Sequence, residues 1–499
     1  MKKVLIYTFI LVIGLISCRN NNEQEVILLE TIELNNLNNN DIYLVKVNKS
    51  NTIVRAANTG GARSSGFYNN TNILPDYEDD CPLIGYPPAL QFNAAPPPIG
   101  EPIRSSLAAF TPPVVGDTRN FWVENFHGRG MWEERQATLR ATGLYGNIWV
   151  MDENYSVTNE NKPNNQITAE QAEALSDKFD LIYTATTNIF GYEFGGGPGG
   201  DGGKDGDPKI QILVYDIVDI PGNAVWGGYF WGKDFYEQSQ LDSWNWNLKT
   251  NLAEIFYIDT SVINSNLNYT YSLLIHELQH MINFNMKFVK HNINSAAWYN
   301  EMLSAMAEDI IAPLIGVDTS SSGHIVRRIR RFLIWYDQVG ITEWDGSSNS
   351  YAKSFAFGAY LLRNYGGAEL VKKIIDNNTT NIESISSALN EITPGMNFEK
   401  ALERFGEVMI YGGSQIPEGF LTFSNTVSNT INSYTYTAYS FDIWNDFDIK
   451  GPVIFDLTAM DMRPHSISIH SVMENISGDI SITLEKPTNS NVVLQLLVK

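Results

Sequence analysis

Residues 276–280 read His276-Glu277-Leu278-Gln279-His280, two imidazoles and a carboxylate at the spacing of an HExxH pentapeptide. Positions four apart lie on one face of a helix, so His276 and His280 can reach one metal ion. Glu277 stands beside them, placed to take a proton from a water held at that metal. The surrounding sequence suits a helix. Leu274, Leu278, Met281 and Ile282 recur at helical spacing and supply a buried stripe beside the His/Glu face. A third histidine at the spacing of a glycine-turn zinc motif is missing, since position 286 is Met and His291 follows without an intervening glycine.

A third ligand comes from downstream. The stretch 298–308 carries Trp298, Asn300, Glu301, Ser304 and Glu308. Glu301 follows His280 by 21 positions, room for one helix to end and another to begin. On that second helix Glu301, Ser304 and Glu308 share a face. Two histidines and one glutamate with an open fourth position are a catalytic zinc arrangement, not a closed structural one. The competing reading of Glu301 and Glu308 is a pair of solvated helix charges.

HExxH followed by W-x-N-E-x(6)-E resembles the gluzincins, and more closely the hyicolysin family of bacterial metallopeptidases. The resemblance extends over about residues 116–412, with supporting stretches at 116–123, 209–217 and 254–259. It implies His276, His280 and Glu301 as zinc ligands, Glu277 as catalytic base and Glu308 as a carboxylate holding a ligand imidazole. Met302 departs from the glycine usual after the ligand glutamate. An oxyanion donor is also implied. Tyr351, about 50 residues after Glu301 at the start of an expected helix, is similar to the tyrosine of zinc aminopeptidases. His324 resembles, in role only, the histidine donor of the thermolysin-like enzymes. A core or surface role for Tyr351 remains the alternative. The Gly-rich exopeptidase signature is missing, which with the hyicolysin resemblance favours an endopeptidase.

The N-terminus supplies an address. Lys2 and Lys3 precede a 13-residue apolar run, residues 4–16, too short to span a bilayer and shaped like a secretory signal. It ends Leu15-Ile16-Ser17-Cys18, similar to a lipobox, with Cys18 as the lipidated residue of an exported, membrane-anchored lipoprotein at the outer membrane or cell surface. The formal net charge of −22 argues against nucleic acid or anionic lipid as partners; protein or peptide substrates are what the resemblance implies. Cys81 is the second of two cysteines, so no disulfide framework is expected. A spare thiol is a better reading of Cys81 than a cap on zinc.

The elements that must position this chemistry fall into four expected segments. These are a signal peptide (1–18), a tether with a small β element and a Pro/Gly/Asn-rich linker (19–115), a catalytic domain (116–415) and a C-terminal β domain (416–499). The class is α+β. The resemblance implies a thermolysin-like catalytic domain, a mixed sheet plus a helical lobe, and alternating runs after about residue 416 suggest a small β-sandwich behind it. Thr168 and Gln171 are spaced as a capping box for a helix reaching about Phe190. The loop 195–207 offers Asp201, Asp205 and Asp207 as calcium ligands, but at no EF-hand spacing, so a plain loop is favoured. Residues 255–258 are the expected sheet edge for an extended peptide. Arg327, Arg328, Arg330 and Arg331 form a basic cluster, read as a solvated helix face with a substrate-facing patch as the alternative. His465 and His470 are assigned to strands. A non-enzymatic class, an adhesin or binding lipoprotein on a zinc fold, competes with the peptidase reading.

Overall fold

The computed structural model describes residues 29–63, 110–125, 131–217, 227–318, 324–413 and 416–499. The signal peptide with Cys18, the tether, Cys81 and most of the linker lie outside them. In chain order the elements begin with β1 (Leu29–Asn48), β2 (Gly61–Arg63), β3 (Thr118–Asn125), β4 (Met131–Thr142) and β5 (Gly146–Met151). Then come α1 (Ala169–Phe190), β6 (Ile210–Tyr215), β7 (Gly228–Phe230), α2 (Gln238–Ser243), β8 (Ile255–Asp259), α3 (Thr260–Ser265) and α4 (Leu267–Asn283). The helical lobe runs α5 (Ala297–Ile311), α6 (His324–Trp335), α7 (Ser348–Asn364), α8 (Ala368–Asp376), α9 (Asn381–Ile392) and α10 (Phe398–Ile410). Four strands close the chain: β9 (Val427–Ile431), β10 (Tyr434–Ala438), β11 (Ser466–Glu485) and β12 (Val492–Val498).

An α+β arrangement results. Six strands form one mixed sheet in the order β3-β4-β5-β6-β8-β7, with β5, β6 and β8 parallel and the rest antiparallel. The central strands are apolar on both faces because both are covered. Ile148, Val150, Ile212, Val214, Phe256 and Ile258 point into the core shared with the helices. Trp149, Met151, Leu213, Tyr215, Ile255 and Tyr257 alternate with them onto a second cluster. The crossover from β5 to β6 runs through α1. Its capping box forms as expected: Thr168 Oγ1 accepts from the Gln171 N–H and Gln171 Oε1 accepts from the Thr168 N–H.

Two expectations are corrected here. Residues 255–258 are not the edge of the sheet: β8 lies between β6 and β7, and the three-residue β7 is the last strand. The apolar run of β8 is that of a strand buried on both faces, whereas β7, short and flanked by glycine, carries no strand pattern. Nor do residues 416–499 form a sandwich of their own. β11 pairs antiparallel along the length of β1, and β12 pairs with β1 on its other side, giving the sheet β12-β1-β11-β2. β9 and β10 make a hairpin on the helical lobe instead, where Tyr436 donates to the Ala185 carbonyl of α1 at 2.8 Å. Within 453–457 Phe455 alone makes an isolated bridge, to His470. Among the described residues no helix is long and apolar enough to cross a membrane.

Candidate metal centre

α4 is started by Asn266, whose side chain accepts from the Tyr269 N–H at 3.2 Å. Leu274, Leu278, Met281 and Ile282 are fully buried in the core, which fixes the rotation of the helix. That rotation turns His276, Glu277 and His280 toward α5, all three at most 2 % exposed. After α4 a π-helical stretch, Phe284–Val289, begins the turn that brings α5 back antiparallel. On α5, Glu301, Ser304 and Glu308 present one buried face to the histidines, as their spacing requires.

The two imidazoles meet edge to face, ring centroids 4.6 Å apart. Ligand atoms of His276, His280 and Glu301 all lie within 4.8 Å of one another, and this is the one such cluster among the described residues. Glu301 Oε2 is 3.1 Å from His276 Nε2, and Glu301 Oε1 is 3.6 Å from His280 Nε2. Behind the rings stand two further partners. Glu308 Oε1 lies 2.7 Å from His276 Nδ1. Ser304 Oγ lies 3.0 Å from His280 Nδ1 and donates to Gln279 Oε1. The residues fit a divalent metal of the zinc type. Two ring nitrogens and a carboxylate oxygen are its usual donor set, and Glu301 Oε1 is a buried oxygen left without a hydrogen bond.

Charge in this pocket is held under strain. Burial pushes Glu277 up to about 8, against the pull of His276, while the backbone N–H of Phe230 in β7 favours its ionised form. One of its oxygens, Oε1, is buried without a hydrogen bond. Burial raises Glu301 as well. His276 is raised to about 10: burial opposes its charge, but hydrogen bonds to Glu301 and Glu308 outweigh that. His280 is driven well below its ordinary value by burial and by the neighbouring His276.

The geometry is that of the HExxH-plus-glutamate motif, and comparison with known proteins gives it a lineage. The model of the family described as Peptidase M30 matches residues 130–424. The chain belongs to the Peptidase M30 family. It is also similar to the neutral metalloprotease ShpI of Staphylococcus hyicus, 27 % identical over 345 residues, which cover 64 % of this chain and 70 % of that protein. Membership in the M30 family makes this chain a metallopeptidase of the hyicolysin type, as the motif resemblance implied.

Other candidate residues fall differently. Tyr351, 8 % exposed, sits in the first turn of α7 with its ring edge-on to Trp344 at 4.8 Å. His324 opens α6; its side chain lies outside the described residues. The three aspartates of the 195–207 loop do not converge on a cation. Each accepts from the backbone N–H two residues on, at Gly203, Asp207 and Lys209 respectively. Asp205 also pairs with Arg119 at 3.3 Å, and Asp207 accepts from Asn147 and Gln211. The arginines of α6 are not one solvated face either, because Arg328 turns inward onto Glu308 at 3.0 Å. His470 belongs to β11 and His465 directly precedes it, each hydrogen-bonded, to the Asp456 carbonyl and to Thr342. Sequence reasoning gave no role to Ser304 and Asn300, both bonded to His280, and did not find the Phe230 backbone behind Glu277. Ser304 was legible as a residue on the ligand face of α5; the edge strand had no comparable signal.

Proposed function

We propose that the protein is a zinc-dependent endopeptidase that cleaves extracellular or periplasmic proteins. The observation that carries this reading is the buried convergence of His276, His280 and Glu301 within 4.8 Å, with Glu277 beside it. His276, His280 and Glu301 would hold the zinc ion. A zinc ion bound there would supply a Lewis acid for the scissile carbonyl and lower the pKa of a water to about 7. Glu277, whose carboxyl sits near neutrality, takes the proton of the attacking water and passes it to the departing amine. Glu308 holds the His276 ring from behind. Tyr351 is our candidate donor to the tetrahedral oxyanion, an effect worth about 3–4 kcal/mol where it operates.

The substrate's place follows from the sheet. β7 ends it, and Phe230 of that strand contacts Glu277, so an extended peptide added to the outer edge of β7 would lie across the base. Main-chain pairing of this kind gives affinity with little dependence on substrate side chains. The address is part of the same proposal: export and anchoring through lipidated Cys18, checked by whether Cys18→Ser releases the protein from the membrane fraction.

The deciding experiment is digestion of unfolded casein by residues 19–499 with zinc added, beside Glu277→Gln. Cleavage by the wild type alone supports both the activity and the role of Glu277. Bound zinc with no cleavage of casein or of a peptide library by either protein would overturn the reading in favour of a binding protein on this fold.

A further inference from the structure

The four arginines of α6 have separate fates. Arg327 is exposed, Arg330 pairs with Asp448 at 2.7 Å, and Arg331 donates to Asn349 at 2.7 Å. Arg328 is turned inward, 5 % exposed, with its guanidinium 5.8 Å from the centre of the Phe355 ring of α7. Its Nη1 lies 3.0 Å from Glu308 Oε1. The same oxygen lies 2.7 Å from His276 Nδ1. Two donors from two helices, α4 and α6, therefore converge on one carboxylate oxygen of a third.

We propose that Arg328 is a positioning residue of the metal site, acting through Glu308 to fix the ring plane and tautomer of His276. The inference rests on the reading of His276 as a metal ligand and Glu308 as its partner. A glutamate side chain has three rotatable bonds, and a single contact to an imidazole leaves it several ways to turn. A planar guanidinium on the same oxygen removes most of them. The Nδ1 proton is then held toward Glu308, which leaves Nε2 directed at Glu301 and the metal position.

Charge points the same way. Glu277, Glu301 and Glu308 are each at most 1 % exposed. A buried carboxylate is costly unless it is paired, and Arg328 supplies Glu308 with a positive charge from the chain itself. An exposed ion pair of this length would contribute almost nothing; this one is desolvated on both sides. The basic cluster of α6 thus has one member that is part of the site and three that are not.

The test is a double-mutant cycle read by zinc affinity, measured in competition with a fluorescent chelator on the full chain. Its four corners are wild type, Arg328→Met, Glu308→Gln and the double variant. Arg328→Met is expected to weaken zinc binding about 10-fold, at the low end of what outer partners of metal ligands cost. In the Glu308→Gln background the same change is expected to cost less than about 2-fold, because its route to His276 is gone. Equal losses in both backgrounds, or none in wild type, would overturn the proposal. If Glu308→Gln alone binds zinc as wild type does, the reading of Glu308 is wrong and the proposal falls with it, by a separate and recognisable result. Arg328→Lys, which keeps the charge and loses the planar guanidinium, serves if the Met variant does not fold and should recover part of the affinity. On a peptide substrate the Arg328 variants should lose kcat at unchanged KM; a change in KM alone would make Arg328 a substrate contact instead.

Discussion

Two acid-rich regions of this chain end in opposite arrangements. In the loop 195–207, Asp201, Asp205 and Asp207 each turn back to a backbone N–H two residues on, and Asp205 and Asp207 spend their remaining oxygens on different neighbours. Between α4 and α5, Glu301 and the two histidines aim at one point, with ligand atoms within 4.8 Å of one another. Composition does not separate the two regions. What does is the backbone beneath them. Helix spacing dictates the direction of a side chain, and packing of the opposite face dictates the rotation of the helix. A glycine-rich loop dictates neither, and short acidic side chains then satisfy the nearest amide. Where Glu254 approaches that loop, it does so against the bare Cα of Gly203, where a Cβ would stand 2.3 Å from its carboxyl.

The comparison can be broken at several levels. The largest expected effect is on turnover: Glu277→Gln should lower peptide hydrolysis by at least about 10²–10⁴-fold while zinc content stays equal, measured by casein digestion beside metal analysis. Next is the convergence itself. Glu301→Ala should sharply reduce bound zinc, whereas Glu308→Ala should weaken it about 10–100-fold, both by chelator competition. Equal zinc in wild type and Glu301→Ala would remove Glu301 from the site.

A third expectation concerns pH. His276 keeps its proton up to about 10 in the metal-free protein, so a cation must displace that proton. Zinc affinity should therefore rise with pH between 6 and 9, with protons released on binding, measured by calorimetry in buffers of different ionisation enthalpy. The same shift bears on the metal-free fold. Its stabilising contribution is complete below the ordinary value of 6.5 and is lost as pH rises toward 10. The smallest effects belong to the loop. Asp207→Ala removes one acceptor from each of the buried amides of Asn147 and Gln211, which keep bonds to Gln211 Oε1 and the Lys209 carbonyl, and should cost about 1 kcal/mol in chemical denaturation. Millimolar calcium should leave the melting temperature unchanged; a rise of several degrees would erase the contrast between the two regions.

Legibility in the sequence followed the same division. Helical elements with caps and apolar stripes could be read: α1 from its capping box and α4 from Leu274, Leu278, Met281 and Ile282. α9 was not, because its polar residues mask the pattern, and only Ser384, Ile385, Ala388 and Leu389 are buried. Strand existence was partly readable and strand partnership was not. A small β element was expected within 19–115, but nothing local says that the neighbours of β1 are β11 and β12. In the site, the in-helix spacings led to His276, Glu277, His280 and Glu301, while Arg328 and the Phe230 backbone arrive by tertiary packing from α6 and β7.

The pairing of β1 with β11 carries a consequence for how the chain is made. Leu29 lies opposite Glu485, and Asn48 opposite Ser466, so these ladders join segments more than four hundred residues apart. The helical lobe between them is built from neighbours in sequence and can condense early. The terminal sheet cannot: its first strand must wait, unpaired, until synthesis has delivered the last two. α10 rests its buried glycine, Gly406, against Val45 of that waiting strand. Completion of the molecule is thus registered at the seam where its beginning and its end are stitched together, after the peptidase lobe has already taken shape.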